Sequence, residues 1–166
     1  MQKKANKIFV LSTLTLGCMF GINKLIQYKS DIKNTLSDKS GAYYKWKYGN
    51  IFYQKEGTGT PLLCTHDLNV ASSSYDWKST VKHLKNNHTV YSIDLLGCGQ
   101  SDKPYITYIN YTFVQLITDF IKDVIKEKPD IIVDSNSVPC VLMTAALHSE
   151  NIGKIIMINP PELKSN

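Results

Sequence analysis

Hydrophobic residues along this chain gather into short blocks separated by polar turns, and the spacing within each block predicts an element. Tyr43–Tyr48 and Ile51–Lys55 flank Gly49-Asn50, which predicts two strands joined by a tight turn, because Gly-Asn tolerates the positive φ angles such turns need. Leu62–Thr65 and Val90–Leu96 are apolar runs with the length of buried strands. Between them Trp77, Val81 and Leu84 recur at spacings of four and three behind Ser72-Ser73-Ser74, predicting a capped helix over Tyr75–Leu84. Val114, Ile117, Ile121, Val124 and Ile125 predict a second helix over Phe113–Ile125. The β-branched run Asp130–Asp134 breaks at small polar residues and passes into an Ala/Leu/Met-rich stretch ending at His148. That pattern predicts a buried strand, a very tight turn with Ser137 at its tip, and a third helix. Lys154–Asn159, centred on Ile155-Ile156-Met157-Ile158, supplies the last strand. Strands alternating with helices imply a parallel sheet covered on both faces.

Upstream of this region the pattern differs. Lys3, Lys4 and Lys7 precede an uncharged, largely apolar run of fifteen residues, Ile8–Ile22, which Leu25 and Ile26 could extend beyond Lys24. A basic start before such a run predicts a membrane anchor or signal segment over residues 1–27. Three readings stay open: an uncleaved anchor, a cleaved signal peptide, and an apolar helix of a soluble protein. Residues 28–42 are polar and lysine-rich, and read as a tether to a domain over 43–166. The expected location is the membrane, held by a single N-terminal anchor, with the side undetermined because lysines flank the run at both ends.

Charge sharpens this division. The net charge of +5 is the balance of +7 over residues 1–47 and −2 over residues 48–166, so the globular part is not basic. All nineteen cations are lysine, which removes the bidentate guanidinium contacts favoured for phosphate and base recognition and argues against nucleic-acid binding. Lysines beside the apolar run fit anionic lipid headgroups, or simply solubilise the tether. Cys18, Cys64, Cys98 and Cys140 share no C-x-x-C spacing, so neither a metal site nor a disulfide framework is expected, and no cofactor. Cys64 and Cys140 read as core residues.

Three segments together resemble the α/β-hydrolase fold superfamily, in its esterase, lipase and peptidase-like branch. They are Leu62-Leu63-Cys64-Thr65-His66-Asp67, the run Asp94-Leu95-Leu96-Gly97-Cys98-Gly99-Gln100-Ser101-Asp102-Lys103-Pro104, and the turn around Ser137. The resemblance implies a three-layer α/β fold, with an N-terminal antiparallel hairpin followed by a parallel sheet, truncated after the sixth strand. It also implies hydrolysis of an ester or related acyl bond in a small molecule. Ser137 would be the nucleophile, and the backbone amides of Leu68 and Val138 would face the oxyanion. His66 and Asp67 stand where the family has His-Gly, as binding-loop residues. Ser135 and Pro139 replace the two glycines that flank the family's nucleophile.

A serine nucleophile needs a positioned histidine that an acid orients, and in this fold both follow the serine in the chain. Only His148 follows Ser137, and eleven helical residues displace it by about 16 Å. Two functions are therefore expected. One is a membrane-anchored serine hydrolase, inactive as these 166 residues; the other is a non-catalytic protein of the same fold that binds or scaffolds a partner at the membrane. In either, the apolar last strand would form an exposed edge through which the chain self-associates.

Overall fold

A computed structural model describes residues 17–22, 24 and 41–162 of the chain. The chain divides into two units, residues 1–38 and 39–166. Of the first, the structure describes helical residues 17–22 and Lys24. The rest of the expected anchor over 1–27, and residues 28–40 of the tether expected over 28–42, lie outside the described residues; Ala42 already opens the first strand. Among the described residues no helix is long and apolar enough to cross a membrane.

The second unit is built on six strands: β1 (Ala42–Trp46), β2 (Gly49–Glu56), β3 (Thr60–Thr65), β4 (His88–Ile93), β5 (Asp130–Asp134) and β6 (Ile155–Ile158). They lie in the order β1-β2-β4-β3-β5-β6. β1 pairs antiparallel with β2 and β2 with β4; β4, β3, β5 and β6 then run parallel. The helices are α1 (Lys78–Leu84), α2 (Asn110–Phe120) and α3 (Val138–Leu147).

The central strands are buried on both faces, as continuous apolar runs require. Leu63, Tyr91, Ile93, Ile131 and Val133 face one side, against Leu116, Ile117 and Phe120 of α2 and Val138 and Val141 of α3. Leu62, Cys64, Val90 and Ile132 face the other, against Trp77 and Val81. Phe120 is fully buried and meets the ring edges of Tyr44, Tyr53 and Tyr91 at centroid separations of 5.9, 5.2 and 6.4 Å. Burial pushes the Cys64 thiol up to about 12 and that of Cys140 to about 11, so both behave as core hydrophobes.

Three boundaries differ from expectation. The hairpin turn is Lys47-Tyr48 rather than Gly49-Asn50, because Trp46 pairs directly with Gly49. Gly49 is needed for a different reason: its φ is +143°, and a Cβ there would lie 2.6 Å from the Asp102 Cβ. The helix predicted from Tyr75 opens as a 3-10 turn over Ser74–Trp77, where the Asp76 carboxylate accepts the Ser73 N–H at 3.1 Å. The second helix begins at Asn110 and ends in a π turn over Ile121–Ile125. Lys126 closes that turn at φ +63°, donating its N–H five residues back to Ile121. On β6, Ile156, Met157 and Ile158 are exposed.

Candidate active site

The parallel strands β3, β4 and β5 end at one edge, and the loops that follow them meet there. β5 stops at Asp134, and Ser135 takes φ +46°, a left-handed conformation that costs a non-glycine residue about 1–2 kcal/mol. The chain then turns through a short 3-10 segment, Ser135–Ser137, into α3. Pro139 sits in the first turn of that helix, where its missing N–H is not needed. Ser135 is half-buried, and its hydroxyl donates to Asp134 Oδ1 at 2.8 Å.

Ser137 lies two residues beyond the left-handed turn. Its φ of −79° is helical, its side chain is fully buried, and its hydroxyl donates to the His66 carbonyl at 2.5 Å. Val138 donates its N–H to the Ser135 carbonyl. The Ser137 hydroxyl is thus bonded to the loop after β3 and the Val138 amide to the turn itself. The first amide past the left-handed residue belongs to Asn136. In the sequence Ser135 reads as a replacement for glycine, and Asn136 carries no signal of its own. The signal that separates the serines is where β5 ends, and two serines in three residues blur it.

Opposite this turn stands the loop after β3. His66 is fully buried; its Nδ1–H donates to the Asp67 carbonyl at 2.7 Å, and its Nε2 accepts the Leu95 N–H at 3.0 Å. Burial holds the imidazole below its ordinary pKa, outweighing the nearby Asp94, Asp76 and Asp67 carboxylates that pull the other way. Both ring nitrogens are thus committed to backbone. The Asp67 carbonyl also accepts the Asn69 N–H at 2.8 Å. The Asp67 carboxylate points at the neighbouring turn: its Oδ1 accepts the Asn136 backbone N–H at 2.9 Å and the Asn136 side-chain amide at 3.0 Å. Leu68 follows, half-buried.

The Asp94–Pro104 run ties these loops together. Buried Asp94 accepts the Ser74 N–H at 2.6 Å and the Gln100 N–H at 2.7 Å. The Ser101 hydroxyl donates to the Asp94 carbonyl at 2.6 Å and accepts the Phe52 N–H at 2.9 Å. Gly99, at φ +48°, lets the backbone pass where a Cβ would meet Asp94 Oδ2 at 2.1 Å. The motif is therefore a clamp on loops and on β2, and its carboxylates are not aimed at a reacting group.

A cavity of about 610 Å³ opens beside the β3 loop, lined largely by apolar groups from Leu68, Val70, Leu96, Tyr108 and Phe113, with Lys103 contributing a cation. No histidine of the chain is placed to serve as a base. His83 lies on α1, and His88 bonds Thr60 at the opposite end of the sheet. His148 ends α3, about 15 Å of helix away from the turn. Among the described residues no group of three His, Cys, Asp or Glu side chains is arranged to hold a metal.

Comparison with known proteins gives a consistent picture. The sequence profile described as alpha/beta hydrolase fold matches residues 60–166. A 2-hydroxy-6-oxo-6-(2'-aminophenyl)hexa-2,4-dienoic acid hydrolase of Metapseudomonas resinovorans is 27% identical over 130 residues, covering 74% of this chain and 45% of that protein. A cis-3-alkyl-4-alkyloxetan-2-one decarboxylase of Shewanella oneidensis is 29% identical over 113 residues, covering 66% and 35%. A crystal structure of a meta-cleavage product hydrolase from Pseudomonas fluorescens superposes with a TM-score of 0.69 at 22% identity, over 74% of this chain and 46% of that one. The chain spans less than half the length of the curated relatives it matches.

Proposed function

The chain belongs to the alpha/beta hydrolase fold family, and from that premise we propose that it forms the nucleophile-bearing part of a serine hydrolase cleaving an ester or related acyl bond in a small molecule. The observation behind this reading is the left-handed Ser135 at the end of β5. Ser135 Oγ is the nucleophile, the Asn136 and Leu68 amides are the oxyanion donors, and the cavity beside Leu68 takes the apolar part of the substrate. The acid and the histidine come from polypeptide outside these 166 residues. The lysine-flanked apolar run Ile8–Ile22 holds the protein at an anionic lipid surface.

The test begins with the nucleotide sequence downstream of the Asn166 codon, read in all frames. Further strand and helix units bearing an acid and then a histidine are expected. The extended polypeptide should hydrolyse a short-chain nitrophenyl ester, lose that activity in Ser135→Ala, and keep it in Ser137→Ala. The opposite result in the two variants would return the nucleophile to Ser137.

A second reading, a non-catalytic binding protein of the same fold, is favoured by one observation: every histidine of the chain is either bonded to backbone or remote from Ser135. A downstream sequence without acid and histidine would select it.

A further inference from the structure

Asp67 stands where a glycine is usual in this loop, and its side chain is not idle. Its Oδ1 takes the Asn136 backbone N–H at 2.9 Å, the first amide after the left-handed Ser135. In a site of the kind proposed above, that amide points to where negative charge develops on the carbonyl oxygen of an attacked acyl group. A carboxylate oxygen at hydrogen-bond distance from it has the charge and the position of that oxyanion. The Asn136 side-chain amide donates to the same oxygen at 3.0 Å, a second charge-assisted bond.

The loop is built to aim this group. The Asp67 carbonyl is pinned by two donors, His66 Nδ1–H at 2.7 Å and the Asn69 N–H at 2.8 Å. Asn69 in turn caps the Ala71 N–H at 3.0 Å. Asp67 itself has no positive φ, so the side chain is accommodated without backbone strain. Among the described residues no lysine forms an ion pair with Asp67. Its charge is therefore directed at the turn.

Resting on the assignment of Ser135 as nucleophile, we propose that Asp67 is a latch that occupies the oxyanion hole in the resting protein. A substrate carbonyl must displace the carboxylate before the Asn136 amide can serve it. Displacement needs only rotation of a half-buried side chain, so the latch lowers the turnover of the complete enzyme without abolishing it. The same charge repels anionic substrates and carboxylic acid products, and directs the site toward uncharged or cationic acyl compounds.

Phenylboronic acid tests this on the 166-residue chain without any catalytic base. Boron accepts an electron pair from Ser135 Oγ, a B–O bond forms, the hydroxyl proton goes to water, and no bond to boron breaks. The product is a tetrahedral boronate anion whose charge seeks the oxyanion hole. Its ¹¹B resonance is followed together with the Asn136 amide in ¹H–¹⁵N spectra. In Asp67→Gly the Asn136 proton should shift upfield, as it loses a carboxylate acceptor. Boronate binding should tighten by about tenfold or more, the equivalent of one freed charge-assisted hydrogen bond. The gain should vanish in Asp67→Gly/Ser135→Ala. Asp67→Asn keeps the size and removes the charge, and should give an intermediate gain even where the glycine variant folds poorly. An Asn136 amide unmoved by both substitutions, or boronate taken up with equal affinity by wild type and variants, overturns the latch. An amide that moves while no variant takes up boronate leaves the latch in place, and the Ser135 assignment then stands or falls on the Ser135→Ala variant of the extended polypeptide.

Discussion

The imidazole of His66 bridges two loops: it accepts the Leu95 N–H at 3.0 Å on Nε2 while Nδ1–H is given to the Asp67 carbonyl at 2.7 Å. This arrangement requires a neutral ring, and burial lowers its pKa. The folded value lies below the ordinary histidine value of about 6.5, so the stability contributed is complete above that pH. It is lost as the pH falls from about 6.5 toward the lower folded value, because the unfolded chain then binds the proton more readily. Unfolding free energies from urea titrations between pH 8 and pH 5 should fall more steeply for wild type than for His66→Gln, by at most about 1.4 kcal/mol per pH unit. Parallel declines would show that the ring does not carry this dependence.

Ser135 and Ser137 should respond oppositely to truncation. Ser135→Gly removes a left-handed strain that outweighs the extra backbone freedom of glycine, and should stabilise the fold by about 0.5–1 kcal/mol. Ser137→Ala leaves the His66 carbonyl without its donor in a fully buried setting, and should cost about 1 kcal/mol. Denaturant titration of the two variants separates these signs.

Phe120→Ala, at the end of α2, should be among the most damaging substitutions in the core, at about 3–5 kcal/mol. The ring is fully buried, and three tyrosine rings would lose their partner at once. A thermal melt that stays cooperative and shifts by only a degree or two would contradict the packing described here.

The 166-residue chain by itself should neither hydrolyse nitrophenyl acetate in a Ser135-dependent way nor react with a fluorophosphonate probe. No imidazole reaches the turn, and an unassisted serine hydroxyl is a poor nucleophile. Probe labelling that disappears in Ser135→Ala would reveal a base supplied from within the chain.

Much of this architecture was legible in the residues. The doubly apolar runs Leu62–Thr65 and Asp130–Asp134 fit only strands covered on both faces, and the Asp94–Pro104 run located the clamp beneath the site. What was not legible depended on the length of a strand to within two residues. The hairpin turn fell on Lys47-Tyr48 because Gly49 is reserved for the close approach of Asp102, a long-range constraint with no local signature. At the turn after β5 the left-handed angle falls on Ser135. Ser135 and Ser137 are both small and polar, and only the end of β5 decides which of them takes the left-handed angle. Asp67 was readable as a departure from glycine, but the amide it would meet could not be named until that turn was fixed.

The buried thiols have a use of their own. Cys64 lies in β3 and Cys140 in α3, with thiol pKa values pushed up to about 12 and about 11, so neither reacts with an alkylating reagent until its element opens. Each is then a native timer for a different part of the molecule. Under conditions where opening is slower than alkylation, the two modification rates, resolved by peptide mapping, report whether the central strand and the helix behind the Ser135 turn come apart together or separately. A helix that loosens while the strand holds would identify the turn as the first part of the fold to yield.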